Sequence, residues 1–304
     1  ALGVAEAPGD VRRRVHIPVP PEKYLPFVDE QFTEESKKQY LTNNDFNFAG
    51  AKSVKIYKVS TGTMQDYGRI NGGQYTQLAS RYGTIEDLNA TTQTMMLSKD
   101  RSFTFAIDKM DQDETGETLE AASALARQIR EKVIPEVDTY TINKMCVGAG
   151  NKPEAVKISD GNVYELIFAA NAALDDADAP DTGRVLVVTP QTLLLMKTAK
   201  DNSGRYQSMV NAVLDENLRK VGFVGRLDGM DVLKVSAKRL PKNFGFMVAH
   251  PCATVAPTKL ESYKTHQDPP GISGNLVEGR IVYDAFVLDN KKKAIYYQEI
   301  TSTE

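Results

Sequence analysis

One apolar stripe constrains this chain more than any other feature of it. Leu119, Ala122, Ala126, Ile129, Val133, Val137 and Tyr140 recur at spacings of three or four until Lys144, with Glu and Arg on the opposite face. That spacing predicts a helix of about thirty residues, which at ~1.5 Å per residue reaches about 45 Å. Asp113, Glu114 and Glu117 stand near its start, where negative charge suits the helix dipole, and Gly148 with Gly150 marks its end. Pro135 falls inside the pattern, so the helix is expected to kink or split there.

Residues 1–50 have a different texture. Pro8, Pro18, Pro20, Pro21 and Pro26 fix φ and remove donors, Arg12, Arg13 and Arg14 run consecutively, and Thr33 to Leu41 is the only helix-compatible piece. Such a segment is too long for a loop inside a compact domain. It is expected to be disordered or to lie along another surface.

Alternation of Val54, Ile56 and Val59 predicts a strand over 52–60, and Phe103, Phe105 and Ile107 at period two predict another over 91–108. Between them, 62–90 is rich in Gly, Asn, Thr and Tyr, with a turn signal at Asn71-Gly72-Gly73 and one possible helical turn at Thr84 to Leu88. The reading is a long two-stranded projection with a polar tip. A strand rises ~3.3 Å per residue, so it would extend tens of ångströms from the body.

Beyond Gly150 the pattern becomes α/β. Helices are expected at Gly161 to Leu174, from Thr189-Pro190 to Lys200 and at Gln207 to Val221, with a buried strand from Arg184 to Val188. From Val221 to Tyr297, glycines and prolines cut short apolar runs into strand-sized pieces. These are Val232 to Val235, Phe246 to Val248, and the pair Ile281 to Leu288 and Ala294 to Ile300, read as a hairpin around Asp289-Asn290 with Lys291, Lys292 and Lys293 at its tip. Almost no reactive residue lies among them.

The 304 residues suffice for two domains, or one with appendages, and the net charge of -3 provides no basic field for gripping nucleic acid. Cys146 and Cys252 make no disulfide framework, which fits a reducing compartment. No apolar run approaches a membrane span, and the first residues lack a signal peptide's apolar segment, so a soluble cytoplasmic product is expected. Ala1 is compatible with methionine removal and with cleavage of a precursor.

Chemical motifs fail one after another. Asp111, Asp113 and Gly116 imitate the start of a calcium loop, but Thr115 and Ala122 occupy positions that need oxygen ligands, leaving an acidic helix start. Asp175, Asp176, Asp178 and Asp181 read as a solvated loop. The junction from Arg184 to Pro190 offers a helix N-terminus to an anion yet lacks the glycines of a phosphate loop. His250 and Cys252, two apart, are a conceivable pair, though such residues usually pack at a strand end. No catalytic, cofactor-binding or metal-ligating residue is therefore assigned, and no cofactor is expected.

The order of arm, projection, long helix, α/β region and closing strands, together with RVLVVTPQTLLLMKTA, GFVGRLDGMDVLKVS, MVAHPCATVAP and GRIVYDAFVLDNKKKAIYY, resembles the major capsid proteins of tailed bacteriophages with the Hong Kong 97-type fold. The resemblance implies an α+β fold. Residues 1–50 would be an N-terminal arm, 51–108 an extended loop, 109–150 with 256–304 a peripheral domain carrying a long spine helix, and 151–255 an axial domain. It also implies a non-enzymatic shell subunit of the virion, assembled in the host bacterial cytoplasm into pentamers and hexamers. Scaffold, portal and possible decoration proteins would be its partners, with packaged double-stranded DNA touched non-specifically and no membrane.

Under that resemblance Tyr67, Arg69, Tyr75, Tyr82, Phe103 and Phe105 are candidate inter-subunit contacts. Arg12, Arg13 and Arg14 are candidate weak DNA-facing residues. Two other readings stay open: an encapsulin-like compartment enclosing an enzyme, and a small-molecule-binding α/β enzyme using the junction at 184–200.

Overall fold

The computed structural model describes residues 36–43, 53–59, 61–67, 82, 85–87, 90–114, 121–200, 209, 211–212 and 222–301. In chain order the helices are α1 (Lys38–Leu41), α2 (Lys109–Glu114), α3 (Ala121–Gln128), α4 (Ile134–Gly148), α5 (Val163–Asp175) and α6 (Pro190–Thr198). The strands are β1 (Ser53–Val59), β2 (Ala90–Met96), β3 (Lys99–Asp108), β4 (Val185–Val188), β5 (Asn211–Ala212), β6 (Phe223–Leu227), β7 (Met230–Lys234), β8 (Phe244–Ala249), β9 (Thr254–Val255), β10 (Thr258–Gln267), β11 (Gly274–Tyr283), β12 (Phe286–Val287) and β13 (Ile295–Glu299).

The largest sheet runs in the order β13-β8-β4-β7-β6-β5, with β4 and β7 parallel. Its centre, VLVV in β4 and FGFMVA in β8, is buried at every position, so neither strand shows the alternation of a half-exposed one. The two faces feed two cores. Val185, Val187, Met247 and Ala249 pack with Ile142, Met145 and Cys146 of α4, while Leu186, Val188, Phe246 and Val248 pack with Ile167 and Leu174 of α5 and Met196 of α6. The C-terminal half of the long helix therefore covers one face of this sheet, and α5 with α6 covers the other.

Pro135 does not split the helix, and the disturbance it causes takes the form of a widened turn. Between α3 and α4, Ile129–Val133 is π-helical, and the Ile134 N–H bonds to the Ile129 carbonyl five residues back. Proline has no N–H and its ring collides with the carbonyl four residues before it, so widening the preceding turn keeps the run helical through the obstacle. The helix runs on past the end of the apolar stripe at Lys144, with Met145 and Cys146 still buried, and it stops at Gly148, where the glycines mark its end.

The strand expected over 91–108 is two strands. Its first part, β2, pairs antiparallel with β1 from Ser53↔Met96 to Val59↔Ala90, while β3 pairs with β11 in a separate sheet of order β10-β11-β3. The break falls at Ser98, whose backbone N–H and hydroxyl both donate to Asp284. Leu97 is buried and neither Gly nor Pro interrupts the sequence, so periodicity alone carried no sign of the change of partner.

The expected C-terminal hairpin does not form. β11 ends before the buried Asp284, Asp289–Ala294 is a 3-10 turn, and β13 runs back beside β8. Lys291, Lys292 and Lys293 thus lie on a crossover, where the Lys292 carbonyl accepts from the Gly150 N–H at 2.7 Å. The β10–β11 hairpin was not anticipated, since TKLESYKTHQ alternates polar with polar.

Asp138, wholly buried in α4, pins the chain before β1 to the body. Its carboxylate accepts from Arg239 Nη1 at 2.9 Å, the Lys37 N–H at 2.9 Å and Ser36 Oγ at 2.8 Å. The short α1 has no capping side chain of its own, so Asp138 supplies the anion at its start. The helix expected at Thr33 to Leu41 is described from Lys38. The helix expected at Gln207 to Val221 is corrected at its described residues, because Asn211–Ala212 is the strand β5, paired antiparallel with Arg226 and Gly225 at the edge of the largest sheet. The turn at Asn71-Gly72-Gly73 lies outside the described residues, and 85–87 has no regular secondary structure.

Candidate functional site

The β1–β2 ribbon rests on the body by one face along its length. That face is fixed firmly. Met95 and Leu97 are buried with Val255 and Leu288, Val54 and Ile56 pack against them, and the Gln93 side chain exchanges hydrogen bonds with the Val287 carbonyl (3.0 Å) and the Asp289 N–H (3.1 Å). Lys58 adds an ion pair to Asp289 at 2.7 Å. Side chains at alternate positions, Val54, Ile56, Met95 and Leu97, face the body, as the period of two requires.

Elsewhere the ribbon leaves apolar side chains to solvent. Met64 is 96% exposed and Tyr82 and Ile85 are each 80%, while Tyr57 (73%) and Met96 (59%) are open on the face of the ribbon turned from the body. Tyr67 and Tyr82 meet edge to face with ring centroids 5.1 Å apart, and Glu86 Oε2 accepts from the Thr63 N–H at 3.0 Å, so the described part of the tip is tied to itself. A two-stranded ribbon is marginal by itself, and side chains of this size left open in one region are a candidate interaction surface.

The other sequence-selected residues fall elsewhere. Phe103 and Phe105 are half-buried on the helix-facing side of the three-stranded sheet, beside Ile107, Val277 and Leu125 of their own chain. Phe103 also stacks on Tyr263, with Gly279 between them in the register. Arg69, Tyr75, Arg12, Arg13 and Arg14 lie outside the described residues. The ribbon's Met64 and Ile85 were missed by sequence reasoning; scattered apolar residues in a polar stretch give no periodic signal.

The junction at 184–200 is occupied by its own chain. Arg184 is buried, and its guanidinium bonds the Pro180 and Ala179 carbonyls, Asn171 Oδ1 (2.7 Å), Asp175 (2.6 Å) and Asp181 (3.0 Å). It holds the loop of aspartates closed and keeps no donor for a ligand. Thr189 Oγ1 accepts from the Thr192 N–H at 3.0 Å, the expected cap of α6. His250 Nδ1 accepts from the backbone N–H of Cys252 at 3.1 Å, and its Nε2 lies 3.0 Å from the Thr182 carbonyl, so the ring closes a turn. Among the described residues no cluster of acidic, His or Cys side chains is arranged to hold a metal ion, and no helix is long and apolar enough to cross a membrane.

A mixed helix-and-sheet body with a long helical run and a two-stranded ribbon packed on it is a fold shared with phage capsid chains. The structure superimposes on the bacteriophage PhiM1 mature capsid with a TM-score of 0.69 at 13% identity, covering 93% of this chain and 92% of that one. A chain of Mycobacterium phage Che8 gives 0.67 at 18% identity, covering 91% and 96%, and the capsid of an empty GTA particle gives 0.61 at 14%, covering 93% and 96%. Compared with protein-family models and with curated proteins, the sequence matches none. The α+β expectation holds, and the likeness extends over nearly the full length of both partners.

Proposed function

We propose that this chain is a major capsid protein whose copies close into the icosahedral head of a tailed phage around double-stranded DNA, with the Hong Kong 97-type arrangement. The observation that carries the reading is the ribbon: strands locked to the body by Gln93, Lys58 and Met95, and beyond them large apolar side chains that stay exposed among the described residues. Ordering such an extension costs about 1–2 kcal/mol per residue of backbone entropy, which contacts with neighbouring copies offset. The capsid fold of the structural neighbours supports the same reading.

On this reading residues 1–50 are the arm and 151–255 the axial domain. The projecting loop narrows to the β1–β2 ribbon, because β3 shares a sheet with β10 and β11 and so belongs with the peripheral elements at 109–150 and 256–304. Tyr67 and Tyr82 are its leading contact residues, and Arg12, Arg13 and Arg14 face the packaged DNA. The virion is the working location, with a scaffold and a portal as partners in assembly.

Electron microscopy of the purified protein, with scaffold if assembly needs one, tests this. Closed shells are expected, and nucleic-acid content separates a phage head from a compartment loaded with enzyme. Deleting 66–89 should leave the six-stranded sheet folded and abolish shells. A stable monomer under every condition, or normal shells from the deletion variant, would sink the proposal.

A further inference from the structure

A second groove lies on the body, between the helical run and the three-stranded sheet, and encloses a cavity of about 310 Å³. This is at the small end of the range of ligand pockets, ~300–1,000 Å³. Its floor is apolar: Phe103 of β3, Ile281 and Tyr283 of β11, and Val133 and Val137 of the helix. Arg101, Gln128, Lys132 and Glu136 stand around the floor. The helical side of the groove spans the π-helical segment, so the widening that accommodates Pro135 also shapes one wall.

Hydrogen-bond accounting separates these polar groups into two sets. Glu136 Oε1 accepts from Arg101 Nε at 2.7 Å and from the Tyr283 hydroxyl at 3.1 Å, which uses both donors that face it across the groove. Lys132, one turn before Glu136, and Gln128, two turns before it, have no hydrogen-bond or ion-pair partner among the described residues. Two cations, Arg101 and Lys132, therefore line the groove with one carboxylate, Glu136, and the unmatched positive charge sits beside an amide donor at the edge of an apolar floor.

The geometry points to a binding site for a small monoanionic amphiphile, a carboxylate or sulfonate with a compact apolar body. The apolar part covers Val133, Val137 and Ile281, and the anion lies between the Lys132 ammonium and the Gln128 amide. A neutral molecule of the same shape leaves Lys132 unmatched, and a cation is repelled by it. The site is independent of the ribbon and of the shell reading.

Equilibrium dialysis of octanoate against the full chain at physiological salt tests the assignment, with octanol as the neutral control. Saturable binding at one equivalent per chain is expected, with octanol weaker by about tenfold and Lys132→Glu weaker by about tenfold or more. Lys132 is exposed, so that variant folds, and its thermal midpoint checks the point. A second variant, Val133→Phe, fills the floor and should block octanoate while leaving Lys132 in place. Non-saturable uptake, or equal affinity in wild type and Lys132→Glu, overturns the proposal. So does failure of free subunits to bind octanoate while Lys132 becomes shielded from acetylation in assembled shells, which would assign the groove to a segment of a second copy.

Discussion

Ser98 donates twice to a single oxygen of Asp284, through its N–H at 2.8 Å and its hydroxyl at 2.7 Å. The other carboxylate oxygen accepts from the Tyr140 hydroxyl and the Ala285 N–H, each at 2.8 Å. One buried side chain thus joins the point where the ribbon ends, the long helix and the end of β11. Asp284→Ala takes the acceptor from four donors, one buried and three part-buried, and should lower unfolding free energy by about 2–4 kcal/mol, against about 1 for Tyr140→Phe. Urea midpoints at unchanged slope give both values; equal, small losses would show that the carboxylate does not organise this corner.

Asp138 and Arg239 are a buried ion pair at 2.9 Å, and breaking it differs from replacing it. Asp138→Ala strands the Arg239 guanidinium and the N–H groups that start α1, and should cost about 3–5 kcal/mol. Asp138→Leu with Arg239→Met should recover part of that loss, leaving the Lys37 N–H deficit. Denaturant titration of the two variants decides it: equal losses would mean that the ion pair contributes nothing beyond the cap.

How far the sequence reached is best judged at particular residues. Pro135, the Thr189-Pro190 cap and the buried VLVV strand were legible because each acts locally, through a missing donor, a side-chain acceptor or a run of apolar residues. In the body's largest sheet β4, β7, β8 and β13 were legible, whereas β5 lies in a segment expected to be helical and the strand order was hidden. What stayed hidden was set by distant partners: Asp284 turning the chain at Ser98, and Gly150 and β8 drawing 289–299 away from a hairpin. The site was half legible. Tyr67 and Tyr82 were chosen from composition and do meet at the ribbon's outer part, whereas the cavity beside Lys132 depends on helix-to-sheet packing that no spacing reveals.

Gly279 stands opposite both Phe103 and Tyr263 in the register, and a Cβ there would collide with the Phe103 ring. The glycine lets two aromatic rings close over the middle strand of the sheet, protecting a position that otherwise weakens it. Gly279→Ala should destabilise by about 1–3 kcal/mol through overpacking. In a Phe103→Ala background the same change should be neutral or favourable, because the obstruction is gone. Additive losses in the double variant would refute the steric account.

Burial pushes the Cys146 thiol up from its ordinary 9.0 to about 12, and burial first, then Glu136, raises Tyr283 as well. Both groups are neutral in the folded protein, so the stability they contribute is complete below their unfolded values and is lost as pH rises through the folded ones. Unfolding midpoints should therefore fall from about pH 9 towards pH 12, and Cys146→Ala should flatten that fall while lowering the neutral-pH midpoint through its cavity. A pH series on both proteins measures it. Identical slopes would show that the thiol is not part of the alkaline transition.

The edge-to-face contact of Tyr67 with Tyr82 gives the last test its design. The rings are exposed, at 48% and 80%, so Tyr67→Ser with Tyr82→Ser removes apolar surface most of which the isolated subunit leaves open. Subunit stability should change by less than about 0.5 kcal/mol, as for surface substitutions generally. Association is different, because aromatic side chains supply a disproportionate share of the energy at protein interfaces, with individual truncations costing about 2 kcal/mol or more. The critical concentration for shell formation should rise at least about tenfold, read by light scattering and sedimentation, while the melting of the unassembled chain stays in place. If shells form at the wild-type concentration, the ribbon's aromatic pair is not a contact between copies. If the unassembled chain melts early, the pair serves the subunit's own fold instead.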